Sequence, residues 1–235
     1  MRAVWPIARR ELGAAFASPI ATIVLAGFVF VSGLLFFDGF FVSRVARLDA
    51  LFARLPTVLL LFAPALSMRL LAEERGSGTL EMLLTLPVRD HEVVIGKYLA
   101  AVATLALALL ATAPFPMTVA WLGDLDLGPV AGGYLGALLL GALYLAAALL
   151  ASALARNQVV AFVIGLVLCF GLFALRWLAS PTAASGRVVQ YVSPGFHYDP
   201  MWRGVVELRS VVYFVSGAAL FVLLAVQAVA ARRWR

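Results

Sequence analysis

Residues 71–100 read LAEERGSGTLEMLLTLPVRDHEVVIGKYLA. The stretch gathers Glu73, Glu74, Glu81, Asp90 and Glu92 with Arg75, Arg89, His91 and Lys97, in a chain of which only 13% is charged. Between these charges lies a short apolar segment, 79–86. As a helix it would rise about 12 Å, far less than the roughly 30 Å of hydrocarbon in a bilayer. A greasy segment too short to span, wrapped in charge, takes its meaning from what flanks it.

The flanks are overwhelmingly apolar. Hydrophobic residues make up 64% of the 235 and mean hydropathy is +1.02, which leaves too little polar surface to coat a soluble globule. Segments 20–37, 56–70, 98–122, 130–154, 159–175 and 210–231 are long and apolar enough to be read as spans, since a helix satisfies its own backbone in lipid. The second is short unless it reaches back toward Leu51. The expected fold is therefore an all-α integral membrane protein with six transmembrane helices in one domain over 1–235. The first span is followed by DGFFVSR and not by a small-residue cleavage site, so it reads as retained.

Orientation follows from Lys and Arg in the connections. The side holding both ends of the chain and residues 71–97 carries 11 of the 18 basic residues and the other side 7, which puts both termini in the cytoplasm. One lysine, Lys97, stands beside seventeen arginines. We read that bias as genome composition, and Lys97 as a marker of the membrane surface.

Several functions are excluded. Ion-driven carriers keep ionisable residues inside their spans, and these six apolar cores hold no Asp, Glu, His or Lys. Asp38, Arg176 and Arg209 fall at span ends and read as interfacial. His91 and His197 fall on opposite sides, so no metal site is expected. Cys169 stands alone. No hydrolase motif appears, and no catalytic residue is assigned. Gly96-Lys97 lacks the first glycine and the Ser or Thr of a phosphate-binding loop. Nucleic acid is not an expected partner, because the basic residues are scattered and lack interleaved aromatics.

Within the connection, Arg69 stands four residues before Glu73, spaced for an ion pair on one helix face. Glu74 has no such partner upstream, and reads either as a solvated charge or as a contact with a basic patch on another protein. Gly76 and Gly78 interrupt the helix. In 79–86, Leu80, Leu83 and Leu84 mark one face while Met82 and Leu86 lie on another, and Pro87 closes the run. A polar-side helix so apolar needs cover from a protein groove. Asp90 is expected to cap the third span, with Glu92 in its first turn.

Three further segments carry signals. In 1–17, Trp5, Leu12 and Phe16 recur at helical spacing with Arg9 and Arg10 on the other flank, the pattern of an interfacial helix anchored by Trp5, Arg9 and Arg10. Segment 176–209 is too polar to span and rich in aromatics. It reads as outer amphipathic or re-entrant helices with Tyr191, Phe196 and Trp202 at an outer gate, or as an ordinary interfacial loop. Gly132 and Gly136 permit close helix approach, within the chain or between copies, and Pro114 with Pro116 should kink the third span.

The pattern EERGSGTLEMLLTLPVRDHEVVIGKYLA resembles the signature connection of ABC-2-type transporter permeases, most nearly the small gliding-motility (GldF-like) and NosY-like group. The matching positions are Glu73, Glu74, Gly76, Gly78, Thr79, Glu81, Leu83, Leu84, Pro87, Glu92, Gly96 and Lys97. Relatives often carry Ser or Thr and then an aromatic before the glutamate, where this chain has Arg89, Asp90 and His91. ARRELGAAFASPIATIVL, LARNQVVAFVIGLVL and YVSPGFHYDPMWRGVVELRSVVYFVS also resemble family segments. The resemblance implies a bacterial inner-membrane permease that pairs with a second copy or paralogue. A cytoplasmic ABC ATPase then docks through a coupling helix, with Glu73, Glu74, Gly78, Thr79, Leu80, Glu81, Leu83, Leu84 and Pro87 as docking residues. ATP and Mg²⁺ would be bound by that partner and no cofactor by this chain. The expected function is export or mechanical transmission. The alternative is a membrane scaffold in a motility or envelope complex, with an auxiliary membrane or periplasmic subunit. Membrane lipid is the remaining partner.

Overall fold

A computed structural model describes residues 4–43, 48–76, 89–123, 125–178 and 184–231. Every regular element in these residues is a helix. In chain order they are α1 (Val4–Ala17), α2 (Pro19–Ser43), α3 (Asp49–Ser67), α4 (Ala72–Gly76), α5 (Asp90–Leu110), α6 (Pro114–Leu122), α7 (Leu127–Leu154), α8 (Gln158–Leu178), α9 (Ala184–Val192), α10 (Pro194–Trp202) and α11 (Leu208–Ala230). Six helical stretches within them are long and apolar enough to cross a membrane: α2, α3 with α4, α5 with α6, α7, α8 and α11.

The axis of the bundle is α7, whose 28 residues rise about 42 Å. It is the most buried span and packs against α3, α5, α8, α10 and α11. Glycine makes this possible. A Cβ on Gly133 would lie 2.7 Å from the Phe52 ring of α3, and one on Gly141 would lie 2.5 Å from Leu105 of α5. At Gly132 the obstacle is backbone, the Met201 carbonyl oxygen at 2.1 Å. The glycine face therefore serves packing within the chain, one of its two expected uses.

Boundaries differ from expectation in two places. The second span does reach back past Leu51, to Asp49, and its first helix ends at Ser67, because Leu51, Phe52 and Leu55 are buried in the core. The third begins at Asp90, eight residues before Tyr98. Asp90 is the first helical residue and Arg89 stands at the cap position, with the Arg89 backbone N–H directed to the Glu92 carboxylate at 3.5 Å. The third span is also broken and not merely kinked. After Leu110 the chain turns, and Pro114 starts α6, where a missing N–H costs nothing. At this turn the Thr112 carbonyl accepts from the Phe115 N–H at 3.0 Å and from the Tyr134 hydroxyl of α7 at 3.2 Å.

The two ends of α7 define two faces of the molecule. Its C-terminal end meets α4 through Ser152 and Leu154. Its N-terminal end receives α10, where Tyr198 and Met201 are buried over Gly132 and Gly136. His91 and His197 lie at these opposite ends, as expected. At the second face Asp38 pairs with Arg54 at 2.7 Å, and Arg209 pairs with Glu207, so these span-end charges find partners near the surface.

Candidate functional site

At the first face three helix ends converge. Between Ser67 and Ala72 the backbone leaves α3 and restarts as α4, and Ser152 of α7 stitches this joint. Its hydroxyl accepts the N–H groups of Leu71 at 3.1 Å and Ala72 at 3.0 Å, and donates to the Met68 carbonyl at 3.2 Å. The Arg75 guanidinium then donates to the carbonyls of Leu154 and Ala155 at 3.0 and 2.8 Å. The unfavourable placing of a basic side chain's charge near nothing is avoided, since carbonyls at a helix C-terminus favour cations.

The expected Arg69–Glu73 pair forms, with Nε to Oε2 at 2.8 Å and Nη2 to Oε1 at 3.0 Å. Such bidentate geometry orders both side chains. Arg69 Nη1 also reaches the Ser18 hydroxyl between α1 and α2.

Lys97 is buried, which its reading as a marker of the membrane surface did not anticipate. It is 2% exposed, and its ammonium donates to Glu11 of α1 at 2.9 Å and to Glu74 of α4 at 2.8 Å. Cover comes from α1, which crosses α5 at Gly96, where a Cβ would meet Ile7 at 2.9 Å and the Val4 carbonyl oxygen at 3.1 Å. Glu74 is thus not simply a solvated charge. It belongs to a buried Glu–Lys–Glu cluster joining α1, α4 and α5. The signal for this in the sequence was the lysine itself, single among seventeen arginines and preceded by glycine. A compact ammonium can serve two carboxylates in a slot too narrow for a guanidinium.

Of the expected docking residues, Glu73 and Glu74 are described: Glu74 lies in this cluster and Glu73 pairs with Arg69 beside it. Gly78, Thr79, Leu80, Glu81, Leu83, Leu84 and Pro87 lie outside the described residues. The expected anchors share α1: Trp5 is 73% exposed, and Arg9 and Arg10 are exposed. The expected gate residues separate. Tyr191 and Phe196 come together, centroids 6.3 Å apart, whereas Trp202 sits at the far end of α10 over Asp199. The residue between the first two is His197, which sequence reasoning used only to exclude a metal. It is 1% exposed and stacked on Tyr213 at 4.0 Å. Its Nε2 lies 2.8 Å from the Tyr191 carbonyl, which can only accept, so Nδ1 accepts from the Ser210 hydroxyl at 3.3 Å. No group of ligands suited to a metal ion occurs among the described residues.

Residues 49–231 match the sequence pattern of the ABC-2 family transporter proteins. The chain belongs to that family. It is the membrane permease component and not the ATPase, and permeases of this family generally work with a cytoplasmic ABC ATPase. No curated protein matches the chain. The matched segment of the permease begins after α2, yet its Lys97 is completed by Glu11 of α1, so the ion cluster joins the family core to the helix pair that precedes it.

Proposed function

We propose that this permease works in an exporter-type ABC transporter, and that residues 71–97 receive the stroke of the ATPase. One observation carries the reading. Both ends of the connection are fixed: Glu74 and Lys97 meet at 2.8 Å, while Ser152 and Arg75 hold α4 to α7. A displacement of the segment between them therefore passes into α1, α5 and α7 together and is not lost in a slack loop. The docking helix is 79–86, with Leu80, Leu83 and Leu84 seated in an ATPase groove and Glu81 at its rim. Burial of each leucine contributes about 1.5–3 kcal/mol.

The permease acts as a pair with a second copy or paralogue in the bacterial inner membrane, both termini cytoplasmic, as the arginine bias supports. ATP and Mg²⁺ are held by the ATPase. Closure of two ATPases moves the paired connections, tilts the spans and exchanges access between the two sides. Within the family we place it with the gliding-motility-like and NosY-like group, which the motif of residues 73–97 resembles most. Leu83→Asp and Glu81→Arg are expected to abolish co-purification of the ATPase while the permease inserts normally. Full ATPase retention by both variants would falsify the docking assignment.

A further inference from the structure

The first face also holds a cleft that the ion cluster does not fill. A cavity of about 120 Å³ lies among α1, α2, α3 and α5, with Ala14, Ala21, Leu66 and Ala101 in its wall and Ser18 and Thr104 as its hydroxyls. It adjoins a wider cleft of about 340 Å³ bounded by Arg10, Glu11, Arg69, Glu73, Glu74 and Lys97, with Glu11, Ala14, Arg69 and Glu73 common to both. One helical turn further along the same two helices, Ala21 gives way to Leu25 and Ala26 on α2, and Thr104 to Leu107 and Ala108 on α5. There a second groove, of about 580 Å³ and with no lining residue in common with the cavity, lies between α2 and α5, walled by Phe16 and Phe30.

Polarity along this path is graded. The mouth is charged, and the groove beyond is apolar apart from Thr22. The hydroxyls on the way are engaged within the chain: Thr22 donates to the Ser18 carbonyl, Thr104 to Ala100, and Ser18 accepts from Arg69. A polar solute would find nothing to bind past the mouth. An amphiphile with one polar end would find its tail solvated by α2 and α5 and its head at the rim. The rim carries three cations and three anions, a balance that suits a headgroup with both signs better than a purely anionic one.

We infer that the seam between α2 and α5 binds a phospholipid with a zwitterionic, amine-bearing headgroup. Its phosphate lies toward Arg10 and Arg69, its ammonium toward Glu11 and Glu73, and an acyl chain runs past Ala26. The site belongs to the leaflet on the α1 face, the cytoplasmic one under the orientation proposed above, and it stands whether or not residues 79–86 dock an ATPase.

The test uses the full-length permease in phosphatidylcholine nanodiscs doped with photoactivatable phosphatidylethanolamine or photoactivatable phosphatidylglycerol. The expected result is phosphatidylethanolamine labelling concentrated in residues 22–30 and 107–111, above that of the equally lipid-facing α8. It is expected to fall to the α8 level in Ala26→Trp, which fills the groove from an exposed position. Arg10→Glu, at an exposed rim position, leaves the groove intact and is expected to reduce labelling there without changing it on α8, so the headgroup contact is read even if the tryptophan variant fails to insert. Equal labelling by both lipids, even labelling of all exposed helices, or labelling unchanged by Arg10→Glu overturns the assignment.

Discussion

Lys97 concentrates two opposing effects in one side chain. Burying an ammonium is expensive, and the attraction of two carboxylates at 2.9 and 2.8 Å offsets that cost only while both remain. Lys97→Met should therefore destabilise the permease by about 3–5 kcal/mol, the range for a buried pair broken on one side, read as a lower unfolding midpoint in detergent. Adding Glu74→Gln should restore part of the loss, since fewer unpaired charges remain. Equal midpoints for the single and double variants would show that the lysine acts through its carbon stem. The burial of the lysine was not legible because its cover comes from Glu11 and Ile7, more than eighty positions earlier, and no local periodicity encodes a crossing helix. Residue-scale chemistry differs at the other face. Burial pulls the His197 imidazole below its ordinary value and Arg209 adds to this, against the Tyr191 carbonyl and Glu207. Its neutral form is thus favoured in the fold, and the stability it contributes is present above about pH 6.5 and lost as pH falls below it. Unfolding midpoints measured either side of that pH should separate, and His197→Gln should narrow the difference.

At the scale of elements, hydropathy made the spans legible. A helix in lipid must be apolar for its whole crossing, so composition alone locates it. The joints between elements were much less visible, because each depends on a partner remote in sequence. Ser152 lies in an alanine- and leucine-rich run and looks like any small residue, yet it satisfies two backbone N–H groups of the α3–α4 joint. Ser152→Ala leaves both without that partner. The expected cost is about 1–3 kcal/mol for each N–H left unsatisfied. Hydrogen exchange should rise at 71–76 while α3 itself stays protected; unchanged protection there would mean that Arg75 alone holds α4. The break between α5 and α6 was half legible. Pro114 announced a distortion, but not that the Thr112 carbonyl accepts both the Phe115 N–H and the Tyr134 hydroxyl, which ties the turn to α7.

Across the whole molecule, α7 organises both faces. Its C-terminal end captures α4 and its N-terminal glycines receive α10, so a shift of α7 along its axis is felt at each end by a different attached helix. The charged connection was found from its composition, whereas its attachment to α1 and α7 required the assembled bundle. The Ser152 contact also orders events in time. The groups it binds, the N–H of Leu71 and of Ala72, precede it by 81 and 80 residues. The chain must therefore be made as far as Ser152, in the fourth span, before this contact can fasten α4 to α7, whereas the Glu74–Lys97 pair can form once α5 has been made. The two anchors of α4 are thereby staggered during synthesis, the ionic one available before the hydroxyl one.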